Sequence, residues 1–148
     1  MTDIVEKHIR SRMMSSIRSK NTKPEMIIRK MLHHLGFRYR LHDKNLPGTP
    51  DLVFPRYHAV LFVNGCFWHG HRCSIFKWPA SNQEFWKNKI MRNIYNDRKH
   101  ISELLNEGWR VGVIWECTLR KQNQMLSPIA DKITCWLKSD INEMEISA

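Results

Sequence analysis

Apolar residues that recur every three or four positions predict two long helices in the first two thirds of the chain. Thr22 and Glu25 have the spacing of a capping box before the first pattern, and Pro24 suits its first turn. Ser81 and Glu84 have the same spacing before the second pattern. The predicted buried positions are Ile27, Ile28, Met31, Leu32 and Leu35 in the first helix, and Phe85, Ile90, Ile94, Ile101, Leu104 and Leu105 in the second.

Shorter apolar segments predict strands between these helices and after them, because each is bounded by turn residues and is too short for a helix. A further helical pattern follows the last strand. The order α, β, β, β, α, β, α predicts an α/β fold with a central mixed β-sheet flanked by helices. The predicted strands are 37–41, 52–54, 59–63 and 111–115, and the last helix begins at Ser127-Pro128 and buries Ile129, Ile133, Trp136 and Leu137.

The chain of 148 residues is long enough for one hydrophobic core, and its two ends carry little apolar surface. Residues 1–20 are predicted to be a basic N-terminal arm and residues 21–138 a single folded domain. Residues 139–148 are mostly polar and are predicted to be a flexible C-terminal tail.

A formal net charge of +10 and an isoelectric point near 9.8 indicate a polyanionic partner. Nucleic acid is the leading class, because Lys and Arg side chains bind phosphates and release condensed counterions, although a merely basic soluble protein would have the same charge. No apolar run is long enough to cross a membrane, and no apolar signal core follows the first basic residues. We therefore expect a cytoplasmic protein without a membrane partner.

Thiol and imidazole groups crowd into one short segment of the chain. Cys66, His71 and Cys73 supply three corners of a tetrahedron, and Cys117 after the fourth strand supplies the last. In the reducing cytosol this pattern favours a closed structural Zn²⁺ site over disulfides. Cys135 is then a spare thiol. The alternative is that these cysteines are small buried apolar residues.

Two further residues are candidates for chemistry. His69 would share a face with His71 if the segment were a strand, and both could then bind zinc. With His71 assigned to zinc, His69 is held by metal-organised backbone, as a general base requires; the alternative is that it only orients a ligand. Asp51 follows the Pro47-Gly48 turn at the start of a strand, where its carboxylate can hold Mg²⁺ or simply cap the turn.

Several motifs recur in the order and spacing of one enzyme family. They are Leu46-Pro47-Gly48-Thr49-Pro50-Asp51, Gly65-Cys66-Phe67-Trp68-His69 with His71 and Cys73, Glu84-Phe85-Trp86, Asp97-Arg98, and Gly108-Trp109-Arg110-Val111 with Trp115-Glu116-Cys117. From Arg10 to Trp136 the chain resembles the very-short-patch-repair (Vsr) DNA mismatch endonucleases. The resemblance implies a nuclease domain that is a variant of the PD-(D/E)xK, restriction-endonuclease-like fold. It also implies a Mg²⁺-dependent enzyme that nicks 5′ of the T in T:G mispairs, which arise from deaminated 5-methylcytosine.

The resemblance assigns roles to four residues of the candidate active site. Asp51 matches the family's metal-binding aspartate, and His69 matches the histidine that activates the attacking water. Glu25 and Asp97 match acidic residues that line the site. Taken alone, Glu25 could equally be a capping-box residue and Asp97 an exposed helix residue.

One pair of residues departs from the family pattern. Val63-Asn64 stands where the best-known members have Thr-His. The backbone carbonyl of Val63 can still bind a metal. Asn64 can donate a hydrogen bond but cannot titrate, so we expect a different rate or metal preference rather than inactivity.

The resemblance also assigns residues to DNA binding. Phe67 and Trp68 resemble a wedge that enters the base stack beside the mispair, where unstacking costs least. Met14 resembles a residue that enters from the other groove while the basic arm holds phosphates. Without the resemblance, Phe67 and Trp68 would be core residues packed on the long helix, and Met14 a mobile surface residue. The phosphate-binding side chains of the arm are Arg10, Arg12, Arg18 and Lys20.

Other activities remain open at this point. A restriction-type, mismatch-independent nuclease would keep Asp51 and His69 but would depend little on Phe67 and Trp68. A non-catalytic zinc-containing DNA-binding protein would need only the arm and the Cys/His segment. A zinc hydrolase is disfavoured, because four protein ligands close the metal site. The expected partners are duplex DNA with a T:G mispair and mismatch-repair proteins, and an asymmetric mispair favours a monomeric enzyme.

Overall fold

A computed structural model describes residues 21–71, 73, 76–121 and 126–147. Within these ranges the chain forms four α-helices, five strands and one short 3-10 helix, Pro55–Tyr57. The helices are α1 (Lys23–His34), α2 (Gln83–Asn106), α3 (Glu116–Lys121) and α4 (Ser127–Leu137). The strands are β1 (Arg40–Leu41), β2 (Leu52–Phe54), β3 (Ala59–Asn64), β4 (Arg110–Trp115) and β5 (Glu143–Ile146).

The five strands form one mixed sheet in the order β1-β2-β3-β4-β5. β1, β2 and β3 are antiparallel neighbours, whereas β3, β4 and β5 are parallel. The parallel pairing of β3 with β4 requires a crossover connection, which α2 supplies. The predicted α/β domain with a central mixed sheet is confirmed.

Alternate residues of the strands pack on opposite faces of the sheet. Leu52, Phe54 and Leu61 belong to a large core formed with α1 and α4. Val53 and Val60 point to a smaller core with α2. The sheet therefore lies between helices on both faces, which makes its central strands continuously apolar. No helix in the described part of the chain has the apolar length needed to cross a membrane.

The predicted start of α1 is confirmed. Thr22 is its N-cap, and the Glu25 N–H donates to Thr22 Oγ1 over 3.3 Å. Ile28 and Leu32 are fully buried, as the pattern predicts. Leu35 was predicted to be buried but is 51% exposed, because it follows the last helical turn as the C-cap.

The predicted start of α2 is wrong. The N-cap is Asn82, which adopts a left-handed conformation (φ 54°) and makes no side-chain capping hydrogen bond, so Ser81 does not form the expected capping box. Phe85 is also exposed rather than buried. Five residues of helix rotate it by about 140° from Ile90, which faces the sheet.

The prediction of a flexible tail after residue 138 is also wrong. Residues 143–146 form β5, which pairs with β4 and extends the domain beyond the predicted boundary. Ile146 is buried, and the Trp136 Nε1–H donates to the Ile141 carbonyl over 2.8 Å. The physical reason is the edge of β4, whose backbone groups need partners, together with alternating apolar residues in the tail.

We expect Gly48→Ala to destabilise the protein by about 3 kcal/mol, from backbone strain plus overpacking. Gly48 has φ +76°, and an added Cβ would lie 2.9 Å from the Cβ of His100. Gly36→Ala is the matched control, because Gly36 has φ +96° but open space around it. Its expected cost is about 1 kcal/mol from strain alone. Equal shifts of the two urea-unfolding midpoints would contradict the close packing at Gly48.

Candidate active site and metal cluster

Asp51 lies one residue before β2, next to both neighbouring strands. The Val63 N–H donates to Asp51 Oδ2 over 2.7 Å, and the His42 N–H donates to the Asp51 carbonyl over 3.2 Å. Burial, assisted by the nearby Glu25 carboxylate, raises the pKa of Asp51 to about 7, although the Val63 hydrogen bond lowers it. Ionisation of this carboxyl group costs free energy, which a bound cation would offset. Asp51 is therefore suited to bind a cation.

Glu25 is a buried carboxylate on α1 that contacts the Asp51 region through an imidazole. Its side chain is 1% exposed, and Oε1 accepts from the Asn21 N–H over 3.1 Å. Oε2 lies 3.3 Å from Arg29 Nη1 and 2.7 Å from His42 Nε2. His42 Nε2 is in turn 4.0 Å from Asp51 Oδ1. The burial of Glu25 is therefore explained by these three side-chain contacts as well as by its position in the capping box.

His42 belongs to the site, although the sequence motifs do not select it. The strand predicted at 37–41 forms only at Arg40–Leu41, and its apolar pattern does not say which strand it pairs with. The available signal is the strand pairing: Leu41 lies opposite Leu52, which brings the next residue of one strand beside the preceding residue of the other. His42 and Asp51 become neighbours in this way.

His69 forms a dyad with Asp97 of α2. Nδ1 of His69 lies 2.5 Å from Oδ2 of Asp97, and the two side chains are 28% and 30% exposed. When Nδ1 carries the proton and donates it to the carboxylate, Nε2 is the ring nitrogen that can accept one. This is the arrangement of an oriented general base, and Asp97 is a partner of His69 rather than a solvated helix residue.

The predicted catalytic residues meet around one cavity of about 490 Å³. Asp51, Val63, Asn64, His69 and Asp97 all line it. Asn64 ends β3 and is 9% exposed. Glu25 does not line the cavity. It contacts His42, which does line it. Lys44 and His100, which no motif indicated, also line this cavity.

The predicted zinc ligands form a separate cluster. One ligand atom from each of Cys66, His71, Cys73 and Cys117 lies within 4.8 Å of the others. The Cys117 N–H donates to Cys66 Sγ over 3.3 Å, and Cys117 Sγ is 3.7 Å from His71 Nδ1. Cys135 is exposed on α4 and takes no part in the cluster. Three sulfurs and one imidazole nitrogen fit a tetrahedral zinc ion.

Burial shifts the pKa values of two residues of this cluster. Burial raises the pKa of the Cys66 thiol, so the ionised form that binds metal needs a positive charge nearby. Burial also lowers the pKa of His71, which keeps its imidazole neutral, as a ligand must be. The His71 ring stacks on Trp115 with centroids 4.1 Å apart, which fixes its orientation.

Phe67 and Trp68 lie in an aromatic group at the start of α2 and are half-buried. The Phe67 ring is 5.2 Å from Trp68 and 5.5 Å from Trp86, and Trp68 is 5.8 Å from Trp86. In this structure the two rings therefore pack on the long helix, as the alternative interpretation expected. The Trp68 carbonyl also accepts a 2.8 Å hydrogen bond from Asn93.

The predicted DNA-binding arm lies outside the described residues, so the structure gives no position for its members. They are Arg10, Arg12, Met14, Arg18 and Lys20.

Comparison with known proteins identifies the family. The family described as DNA mismatch endonuclease Vsr matches residues 2–75, half of the chain. The type II nicking enzyme V.XorIIP of Xanthomonas oryzae pv. oryzae is 50% identical over 80% of this chain and 88% of its own length. The DNA mismatch endonuclease Vsr of Escherichia coli K12 is 39% identical over 93% of this chain and 88% of its own length. This chain belongs to the Vsr family of DNA mismatch endonucleases.

Proposed function

We propose that this chain nicks duplex DNA on the 5′ side of the T in T:G mispairs left by deaminated 5-methylcytosine, and so starts very-short-patch repair. The observation that carries the proposal is the His69–Asp97 dyad, which shares one cavity with Asp51. Phosphodiester hydrolysis requires a base that activates water and a cation that stabilises charge on the phosphate. A general base beside a cation-binding carboxylate meets both requirements. The E. coli relative that is named a DNA mismatch endonuclease supports the choice of substrate.

His69 carries the proton-transfer step. Its Nε2 takes a proton from the attacking water, whose oxygen forms the new bond to phosphorus while the bond from phosphorus to the opposite sugar oxygen breaks. That sugar oxygen leaves and takes a proton from solvent. Asp97 holds the ring in the required tautomer and stabilises the imidazolium that forms. Asn64 in the cavity wall donates a hydrogen bond to the phosphate without exchanging a proton.

Asp51 and the Val63 carbonyl hold the divalent cation, for which Mg²⁺ is the first candidate. Both residues line the cavity, and the buried, hard-oxygen character of Asp51 fits such an ion. A bound cation would neutralise the charge that develops on the phosphate oxygens. Glu25 does not line the cavity but fixes the orientation of His42, which does.

The Cys/His cluster holds a structural Zn²⁺. Its ligands Cys66, His71 and Cys73 bracket His69, so a metal bound there fixes the backbone on both sides of the base. The same segment carries Phe67 and Trp68, which we propose leave their contacts with Trp86 to wedge beside the mispair. The arm from Arg10 to Lys20, with Met14, would contact the DNA from the other groove.

The fold is proposed to be a PD-(D/E)xK variant. Pro50-Asp51 stands at the start of β2, and β3 runs antiparallel beside it, so the metal-binding carboxylate lies at the end of a hairpin in the sheet. Asp97 and His69 then approach from α2 and from the loop after β3.

A mismatch-independent nicking enzyme is the second candidate. Two observations favour it: V.XorIIP is named a type II nicking enzyme, and Phe67 and Trp68 pack internally here. Such an enzyme would cut a paired sequence with the same Asp51 and His69.

The deciding experiment is single-turnover cleavage of end-labelled duplexes that differ only in one T:G or C:G pair. Flanking positions are randomised, and Mg²⁺ or Mn²⁺ is added to or omitted from zinc-loaded protein. We expect metal-dependent nicking of the T strand in the T:G duplex alone. Equal cutting of both duplexes would establish the second candidate, and binding without cutting of either would contradict both nucleases.

We expect Asp97→Asn to lower the single-turnover rate constant about 10²-fold, because an amide can hold His69 in the wrong tautomer and cannot stabilise its charged form. Binding of the T:G duplex should change little. Asp131→Asn, on the exposed side of α4, is the matched control and should cut at the normal rate. A normal rate in Asp97→Asn would remove the dyad from the mechanism.

A further inference from the structure

Glu25, His42 and Asp51 form a second group of potential metal ligands, distinct from the Cys/His cluster. One ligand atom from each lies within 4.8 Å of the others. The three residues come from three separate elements, α1, the end of β1 and the start of β2. The fold, not one local motif, therefore brings them together.

We propose that Glu25, His42 and Asp51 together bind the divalent cation of the active site, and that the imidazole makes this site select a first-row transition-metal dication over Mg²⁺. The inference rests on the proposed role of Asp51 and adds two protein ligands and a metal preference to it.

The distances fit an ion bound between these side chains. Neighbouring ligands in an octahedral site with bonds of about 2.1 Å are about 3 Å apart, and opposite ligands about 4.2 Å. Glu25 Oε2 and His42 Nε2 are 2.7 Å apart, and His42 Nε2 and Asp51 Oδ1 are 4.0 Å apart. All three ligand atoms lie within 4.8 Å of one another, so an ion between them would replace the Glu25–His42 hydrogen bond by bonds to the metal.

The burial of the carboxylates supplies the driving force. The Glu25 side chain is 1% exposed, and Asp51 is 15% exposed beside it. The Arg29 guanidinium, which is 19% exposed, contacts Glu25. Two largely buried carboxylates with one guanidinium favour a further positive charge, which a dication would provide.

The imidazole decides the selectivity. Mg²⁺ requires hard oxygen ligands and loses its water reluctantly, whereas first-row transition metals accept imidazole nitrogen with carboxylates. Glu25 is held in place by Arg29 of α1 and by Asn21 and Thr22 just before it. The Glu25 carboxylate is therefore a fixed oxygen ligand beside the His42 nitrogen. A mixed set of one nitrogen and two carboxylates therefore gives Mg²⁺ fewer of the ligands it prefers.

Mn²⁺ is the probe, because it is paramagnetic and the thiolate-rich cluster takes it poorly. Zinc-loaded full-length protein, without DNA, is saturated with Mn²⁺, and electron spin-echo modulation reports a nitrogen bonded to the ion. We expect a nitrogen coupling that changes when the histidines carry ¹⁵N. We also expect Mn²⁺ to bind at least about tenfold more tightly than Mg²⁺ in competition. Absence of the coupling in the unsubstituted protein overturns the proposal, whatever any variant does.

Variants then identify the histidine. His42→Gln keeps an amide that can contact Glu25 but removes the ring nitrogen, so we expect the coupling to disappear and Mn²⁺ affinity to fall about tenfold, with a smaller loss for Mg²⁺. His34→Gln, an exposed position on α1, is the control and should retain both properties. His69→Gln should also retain the coupling. Persistence of the coupling in His42→Gln overturns the proposal.

These measurements do not depend on cleavage, so the two proposals can fail separately. A nitrogen coupling from His42 in a protein that never nicks a T:G duplex supports the metal site and contradicts the proposed function. T:G-specific nicking by a protein that binds Mn²⁺ only through oxygen supports the proposed function and contradicts the metal site.

Discussion

Asp51→Asn is expected to reduce nicking at least about 10³-fold, because metal-assisted charge stabilisation contributes several kcal/mol to phosphoryl-transfer barriers. The same substitution is expected to stabilise the metal-free protein at neutral pH. Asn keeps the oxygen that accepts from the Val63 N–H but carries no charge beside Glu25. Loss of activity and gain of stability in one variant would separate a functional carboxylate from a structural one.

The stability gain has a defined pH dependence. Burial raises the pKa of folded Asp51 from 3.8 to about 7, so the folded state binds this proton more tightly than the unfolded state. The wild-type protein therefore loses stability as the pH rises through this interval, whereas Asp51→Asn does not. We expect no difference below pH 3.8 and a gain of about 2 to 4 kcal/mol above pH 7.

Urea unfolding measures this gain at a series of pH values, on proteins that have zinc in the Cys/His cluster and no added divalent cation at Asp51. Asp43→Asn is the control, because Asp43 lies in the same loop and accepts from the Asn45 N–H, an interaction that an amide oxygen retains. It should leave both nicking and stability nearly unchanged. If Asp51→Asn were less stable than wild type at pH 8, the carboxylate would be part of the scaffold, and the metal role would lose its support.

Local patterns in the sequence were sufficient for the parts of the fold that form within one element. Thr22 and Glu25 are three residues apart, so the cap of α1 depends on nothing distant. Cys66, His71 and Cys73 lie within eight residues, and their clustering required only a turn. Cys117 joins them for a simple reason: Asn64 pairs with Trp115, and each of the two cysteines follows this pair by two residues.

The parts that were missed depend on distant partners. β5 contains only Met144 and Ile146 as apolar residues, and its strand conformation comes from the edge of β4, more than 25 residues earlier. His42 lines the cavity with Asp51 because β1 pairs with β2, and an apolar pattern does not reveal which strands pair. Phe85 is exposed although the apolar pattern predicts its burial, because that pattern does not fix which side of α2 faces the sheet.

We expect the second large effect from loss of the zinc ion that we propose for the Cys/His cluster. Cys117→Ser is expected to destabilise the protein by about 4 kcal/mol or more, a fall in Tm of about 12 °C. Cys117 is buried directly after β4. Its N–H donates to the Sγ of Cys66, which belongs to the segment that carries His69. Loss of one thiolate opens the tetrahedron, and the remaining ligands are then partly desolvated without a metal. Cleavage should fall with the occupancy of the site, because the backbone beside His69 loses its anchor.

Cys135→Ser separates this effect from the general loss of a thiol. Cys135 is exposed and outside the cluster, so this variant should bind as much zinc as the wild type and unfold at the wild-type temperature. Elemental analysis of the purified proteins, paired with thermal unfolding, should show zinc lost only from Cys117→Ser. If Cys117→Ser kept its stability and activity, the four residues would be packing groups rather than ligands, and His69 would owe its position to Asp97 and the sheet alone. A chelator that strips zinc from the wild-type protein should also lower its stability, because both changes leave the cluster without its metal.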